Sequence, residues 1–175
     1  GRVMGVVITM RYWMYGVALA TLSAAATAQD SSWGFFGGPG MAAGAGVQAS
    51  DGSQLLIKCD KPGKKQVFAV VVATLNLAAP LPSNKYESQP VTLRMDEGAA
   101  WDDNWRFNDK FAMAVDQGNT RSLTRLLEKL ADAKTVEVHL KPVGKSPYNT
   151  SFNVAGAKAA IDQVYADCGD TNPLG

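Results

Sequence analysis

The sequence predicts an α+β domain: a mostly antiparallel sheet with two helices packed on one face and one disulfide. Three observations support this fold class. Several short segments alternate apolar and polar residues, as half-buried strands do. Two later segments instead repeat apolar residues at the spacing of a helix. The chain has two cysteines, Cys59 and Cys168, near opposite ends of the patterned region.

The predicted strands begin at a hairpin signal, Asp51-Gly52. Leu55, Ile57 and Cys59 follow at every second position, which predicts a strand that directs Cys59 toward the core. Residues 67–77 are apolar on both faces, as in a central strand. Further strands are predicted over residues 91–96, 111–115, 136–140 and 148–154. Residues 97–109 fit no period and predict an irregular segment.

Two amphipathic helices are expected on this sheet. The first has one apolar side, formed by Leu123, Leu126, Leu127, Leu130 and Ala131. We expect Asn119 or Thr120 to cap its start. The second spans residues 157–167 and ends at Gly169, where a left-handed residue closes a helix. It directs Cys168 toward the same core as Cys59.

Composition divides the chain into three parts. Residues 1–28 are predicted to be an N-terminal extension and signal peptide. Residues 29–46 are rich in glycine, serine and alanine and are predicted to be a flexible lead-in. Residues 47–175 are predicted to form a single α+β domain.

The first part has the three features of an export signal. Met10 is a plausible start, Arg11 supplies the positive charge, and residues 12–22 are apolar apart from Thr21. Ala26-Thr27-Ala28 is a small-x-small cleavage site, so we predict cleavage before Gln29. The alternative is an uncleaved membrane anchor, but it would place Arg11 inside the span. The first cysteine after the apolar stretch is Cys59, which argues against a lipoprotein.

The charge balance excludes some partners. After residue 28 the chain has 15 basic and 16 acidic residues, a net charge of −1. Neither a basic patch nor a run of like charge is present, so we expect no nucleic-acid partner. Membrane contact is expected only through the signal segment before cleavage.

The two cysteines are predicted to pair in an oxidising compartment. A Cys59–Cys168 bridge closes a loop of about 110 residues and stabilises by about 4–5 kcal/mol in the chain-entropy model. The alternative is a reactive thiol, for which a histidine partner is needed. The sequence has one histidine, His139, on the polar side of its predicted strand.

No catalytic or metal-binding pattern stands out, and we expect no cofactor. Asp96, Glu97, Asp102 and Asp103 bring four carboxylates together, but their spacing does not match a calcium loop. An enzyme that uses the carboxylates of Asp96, Asp102 and Asp103 is the least favoured of three functional hypotheses. No serine lies in a G-x-S-x-G elbow.

An aromatic and charged cluster is the candidate partner-binding site. Trp101 and Trp105 lie near Arg94 and Asp96 in the sequence, and tryptophan and arginine are frequent in binding hot spots. The tryptophans also suit the closed end of a small core, which is the interpretation we favour.

The second half resembles the VasI-like type VI secretion-associated proteins of the bacterial envelope. A similar helix-strand-strand-helix ending occurs in exported proteins that resemble invasion-associated locus B. The resemblance covers roughly residues 55–169 and implies an envelope protein without known catalytic residues and with a strand-to-helix disulfide. Its motifs are residues 91–96 with the following Trp101 or Trp105, the helix 123–131, the strands 136–140 (with Pro142) and 148–154, and residues 156–168.

Together these features predict an exported, periplasmic or secreted, non-enzymatic accessory or binding protein. Its partner is expected to be another envelope protein. The alternative is a periplasmic inhibitor of a hydrolase, since small, exported, disulfide-closed domains suit that task.

Overall fold

The computed structural model describes residues 31–60 and 65–175. These residues form a nine-stranded sheet, a two-stranded ribbon and two helices, and every strand pair is antiparallel. The predicted α+β class is therefore confirmed. The predicted signal peptide lies outside the described residues.

The strands of the large sheet are β1 (Gly34–Gly38), β2 (Met41–Gln48), β3 (Gln54–Lys58), β4 (Phe68–Val72), β5 (Glu87–Met95), β6 (Trp101–Asn108), β7 (Phe111–Ala114), β10 (Thr135–Leu140) and β11 (Tyr148–Asn153). Their order in space is β1-β2-β3-β4-β7-β6-β5-β10-β11. The ribbon pairs β8 (Asp116–Gln117) with β9 (Thr120–Arg121). The helices are α1 (Ser122–Leu130) and α2 (Ala157–Cys168).

The prediction of a flexible lead-in over residues 29–46 is wrong, because β1 and most of β2 lie there. The domain therefore begins before Val47. Glycine permits close packing here: a Cβ on Gly44 would overlap the Phe36 ring, and one on Gly46 would overlap the Leu56 side chain, so each side chain would have to move. Trp33 anchors this end, since its indole N–H donates to the Val154 carbonyl at 3.1 Å.

Two smaller predictions also fail. Residues 97–109 are not irregular but contain β6, in which the polar Asp103 interrupts the apolar alternation of Trp101, Trp105 and Phe107. Neither Asn119 nor Thr120 caps α1; Arg121 is the N-cap residue and its side chain makes no capping bond. The Asp116 carboxylate instead accepts a hydrogen bond from the Thr124 N–H at 3.1 Å.

The core lies against one face of the large sheet, which we call the core face. Alternate strand residues such as Leu55, Val71, Leu93 and Phe107 belong to the same buried cluster as the apolar residues of α1 and α2. The sheet curls around this core, because its two ends approach each other. Besides the Trp33 bond, the Ser53 hydroxyl at the start of β3 is hydrogen-bonded to the Tyr148 hydroxyl of β11.

The predicted disulfide is present. Cys59 follows β3 directly and is bonded to Cys168 at the end of α2, with the two Cα atoms 5.5 Å apart. Gly169 then ends the helix in the left-handed region at φ 70°, as predicted. The bridge joins residues 109 positions apart and so ties the first half of the sheet to the last helix.

Candidate binding surface

The face of the sheet opposite the core, which we call the open face, is divided into two halves of different chemistry. Residues that pair directly across antiparallel strands share a face. Leu56 pairs with Val70, Val70 with Met113, and Met113 with Arg106, so the open face changes from apolar to charged between β7 and β6.

We call the β3–β4–β7 side the apolar half. It is formed by Leu56, Phe68, Val70, Val72, Phe111 and Met113. Phe68 and Val70 form a small buried cluster of their own with Val115, separate from the main core. Leu56, Val72 and Met113 are half-buried, and Phe111 is exposed to 42%. A sheet face of this composition is normally covered.

A groove of about 410 Å³ runs over the apolar half. Its second wall is the loop that contains Pro80, Leu81 and Ser83. At one end the groove reaches Lys58 and Asp60, whose side chains form an ion pair at 3.5 Å. The volume lies within the range of ligand pockets, which are mostly apolar with a few polar groups at the margin.

Asn108 at the end of β6 holds this loop in place. Its side-chain oxygen accepts the Leu81 N–H at 2.9 Å, and its side-chain nitrogen donates to the carbonyls of Leu81 at 3.1 Å and Lys85 at 3.2 Å. Since Asn108 is buried, its hydrogen bonds fix the loop to the sheet rather than to water. The loop that forms the second wall of the groove is thus held against the sheet by hydrogen bonds within the chain.

The polar half comprises Thr92, Arg94, Asp102, Glu137 and His139 on β5, β6 and β10. Its side chains already bind one another. Arg94 donates to Glu137 through Nη2 at 2.9 Å and Nε at 3.2 Å, and these bonds lower the pKa of the Glu137 carboxyl. The His139 Nε2 lies 3.6 Å from the same carboxylate, and Thr92 donates to Asp102 at 2.6 Å.

The structure does not gather the four candidate partner-binding residues on one surface. Arg94 lies on the open face, whereas Trp101 and Trp105 point to the core face of β6. Trp105 is 1% exposed, so it belongs to the core and cannot contact a partner. Trp101 is half-buried beneath the Lys129 ammonium, 4.9 Å from its ring centre.

The Asp96 side chain binds backbone N–H groups of its own chain. Asp96 follows β5 at φ 49° and accepts the N–H groups of Lys134 and Thr135, each at 3.0 Å. These two bonds lower the pKa of its carboxyl. Asp96 therefore fixes the entry into β10 and is already engaged.

The neighbouring carboxylates point in opposite directions. Asp102 lies on the open face, whereas Asp103 faces the core and accepts Arg125 Nη2 at 2.8 Å and the Ser122 hydroxyl at 2.9 Å. Burial by itself would raise the pKa of the Asp103 carboxyl, but these bonds outweigh it and the pKa is lowered. Among residues 31–60 and 65–175, no three His, Cys, Asp or Glu side chains gather closely enough to hold a metal ion.

The apolar half was missed by sequence reasoning, although a signal for it exists. Residues 67–77 are apolar on both faces, a pattern that predicts a central strand. β4 is indeed central, but Val70 on its second face belongs to the small cluster apart from the main core and lines the groove. Two-sided apolarity in one strand thus also indicated an open apolar surface.

The described part of the chain contains no helix of the length and apolarity needed to cross a membrane. No protein-family model matches the sequence, and the comparisons with curated proteins and with solved structures find no significant match either. Only the residues and their geometry therefore bear on the function of this protein.

Proposed function

We propose that this is an exported, non-enzymatic binding protein of the bacterial envelope that engages another envelope protein through its apolar half. The proposal takes both helices to lie on the core face, which leaves the open face available. The groove over the apolar half is the observation that carries it. The resemblance to VasI-like and invasion-associated-locus-B-like proteins supports the envelope location.

The contrast within the open face supports the choice of surface. In the polar half, Arg94, Glu137 and Asp102 bind neighbouring side chains within the chain. In the apolar half, Phe111 is 42% exposed and Leu56 and Met113 are half-buried along the groove. Burial of apolar surface stabilises an interface by roughly 25 cal/mol per Å² before association costs are subtracted. An apolar partner segment therefore gains most at this half.

Charge also limits the partner. The only ion pair at the groove among the described residues, Lys58 with Asp60, is neutral overall. Asp109 also lines the groove, so its charged side chains sum to −1 and give little attraction to a strongly charged ligand. A partner segment with two or three large apolar side chains and little charge suits it best.

A capture experiment with matched variants tests the surface. The tagged protein is cross-linked in an envelope extract, and captured proteins are identified and then rebound in purified form. We expect Leu56→Lys with Met113→Lys to weaken rebinding at least about tenfold, since two cations must then be desolvated in the interface. The control places lysine at Thr92 and Asn104 on the polar side of the open face, and binding should change little.

Equal loss in both double variants, at unchanged melting temperature, would show that the apolar half is not the binding surface. If the captured partner is a hydrolase whose activity falls on binding, the function narrows to the inhibitor alternative. Neither variant changes a residue of the main core, so both should fold.

Export is tested separately from binding. Expressed with its complete N-terminus in a Gram-negative host, the protein should be recovered from the periplasm with Gln29 as its first residue. Intact mass and N-terminal sequencing measure this directly, and replacing Ala28 by a bulky residue should block cleavage. Recovery of an uncleaved chain in the membrane fraction would favour the anchor alternative.

A further inference from the structure

Among the described residues, the large sheet ends at β11 on one side and at β1 on the other, and these two edge strands differ in their exposed residues. β11 presents the polar residues Asn149, Ser151 and Asn153 among its exposed positions. β1 has the sequence Gly-Phe-Phe-Gly-Gly, and all five residues are exposed. Natural edge strands usually carry a charge or a proline that prevents pairing with another chain. β1 has neither.

The hydrogen-bond alternation shows which groups of β1 face outward. The Cys59 N–H donates to the Ala43 carbonyl, so the odd-numbered residues of β2 bond to β3 and the even-numbered ones bond to β1. The β1 partners of Gly44 and Gly46 are Phe36 and Gly34. Phe35, between them, therefore directs its N–H and C=O away from β2.

The side chains of β1 are complementary to a second copy. In antiparallel pairing centred on Phe35, each Phe35 lies opposite Phe35 of the other copy, and each Phe36 lies opposite Gly34. Aromatic cross-strand pairs are favourable. The space over Gly34 is open, because a Cβ there would meet only the Gly46 carbonyl oxygen, at 4.0 Å. Within the chain, the Phe36 ring already lies over Gly44 in the same manner.

We propose that β1 pairs with β1 of a second copy across a two-fold axis at Phe35, which joins the two large sheets into one. The length of the strand favours a copy over a longer foreign strand. The register between β1 and β2 shifts between Phe36 and Gly38, so the regular part of this edge is short. A longer partner strand would therefore form no additional backbone hydrogen bonds with it. The uncharged strand also avoids repulsion between identical chains. This inference does not depend on the apolar half.

Sedimentation velocity over a concentration series tests the pairing. The protein is used in the form that the expression host produces after any cleavage of its N-terminal segment. A monomer–dimer equilibrium is expected. Phe35→Lys should weaken dimerisation at least about tenfold, since two lysines then lie opposite each other. Met41→Lys is the matched control: Met41 is 65% exposed just beyond the β1–β2 turn, and the dimer should persist.

Hydrogen exchange and cross-linking add independent measurements. The Phe35 amide should become protected as concentration rises, whereas the Phe36 amide should be protected throughout. Phe35→Cys should form a linked dimer on oxidation and Met41→Cys should not, because directly paired Cα atoms lie about 5.5 Å apart. A protein that stays monomeric to millimolar concentration, or a dimer unaffected by Phe35→Lys, overturns the proposal.

Discussion

The two halves of the open face belong to one sheet with continuous register, yet they differ in whether their side chains find partners within the chain. The polar half is complete within the chain, because Arg94, Glu137, Thr92 and Asp102 bind one another. In the apolar half, Phe68 and Val70 are buried, while Phe111 remains largely exposed beside the groove. The side chains of the polar half thus have partners within the chain, whereas the apolar half leaves apolar side chains such as Phe111 exposed to water.

The supports beneath the two halves also differ. The apolar half is tied to α2 by the disulfide that follows β3. The polar half is tied to α1 by Asp103, which is on the core side of β6 and binds Ser122 and Arg125. One support is covalent and independent of pH, and the other is ionic. Each can be removed without touching the open face.

Removing the disulfide should have the largest effect. The variant with Cys59→Ser and Cys168→Ser is expected to lose about 4–5 kcal/mol of unfolding free energy, since the unfolded chain gains the freedom of a loop of about 110 residues. Urea titration measures this loss. Hydrogen exchange should show faster opening of the apolar half (β3 and β4) than of β5 and β10.

The control compares the oxidised native chain with the same chain in reductant. The reduced chain should have the same unfolding free energy as the double variant, because both lack the disulfide. A uniform increase in exchange over all strands would show that the bridge supports the whole domain rather than the apolar half. A loss below about 1 kcal/mol would contradict the entropic account.

Asp103→Asn should have a smaller effect, on the polar half. The change weakens two Arg125 bonds and one Ser122 bond, and we expect a loss of about 1–3 kcal/mol. The Asp103 side chain is 7% exposed but that of Arg125 is 46% exposed, so solvent screening places the effect below that of a fully buried pair. Asp102→Asn, one residue away on the open face, is the matched control.

The pH profile supplies the sign of this effect. The folded pKa of Asp103 lies below its ordinary value of 3.8. The folded state therefore binds a proton at Asp103 less readily than the unfolded state does. The stabilisation that the Asp103 carboxylate provides is fully present above the unfolded pKa and is lost as pH falls through the folded pKa. The melting temperature should fall below about pH 4, less steeply in Asp103→Asn. Identical slopes in variant and native protein would contradict the assignment.

The sequence predicted the positions of strands and helices correctly where each element had one apolar side and therefore a regular pattern. The alternation of Leu55 and Ile57 and the helical spacing from Leu123 to Leu130 both correspond to observed elements. β6 was missed because the buried Asp103 breaks its alternation, and an ion pair across 22 residues leaves no local trace. β1 and β2 were missed because glycines that permit close packing have the same composition as glycines in a flexible segment.

By itself the sequence determined the α+β class, the approximate positions of most strands and both helices, and the pairing of Cys59 with Cys168. These features depend on local periodicity and on there being only two cysteines. Only the tertiary structure decided that Arg94 and Trp105 lie on opposite sides of the sheet, that the second face of β4 lines a groove, and that β1 is an edge strand among the described residues. Strand order brings together residues far apart in the chain, and no local period encodes that order.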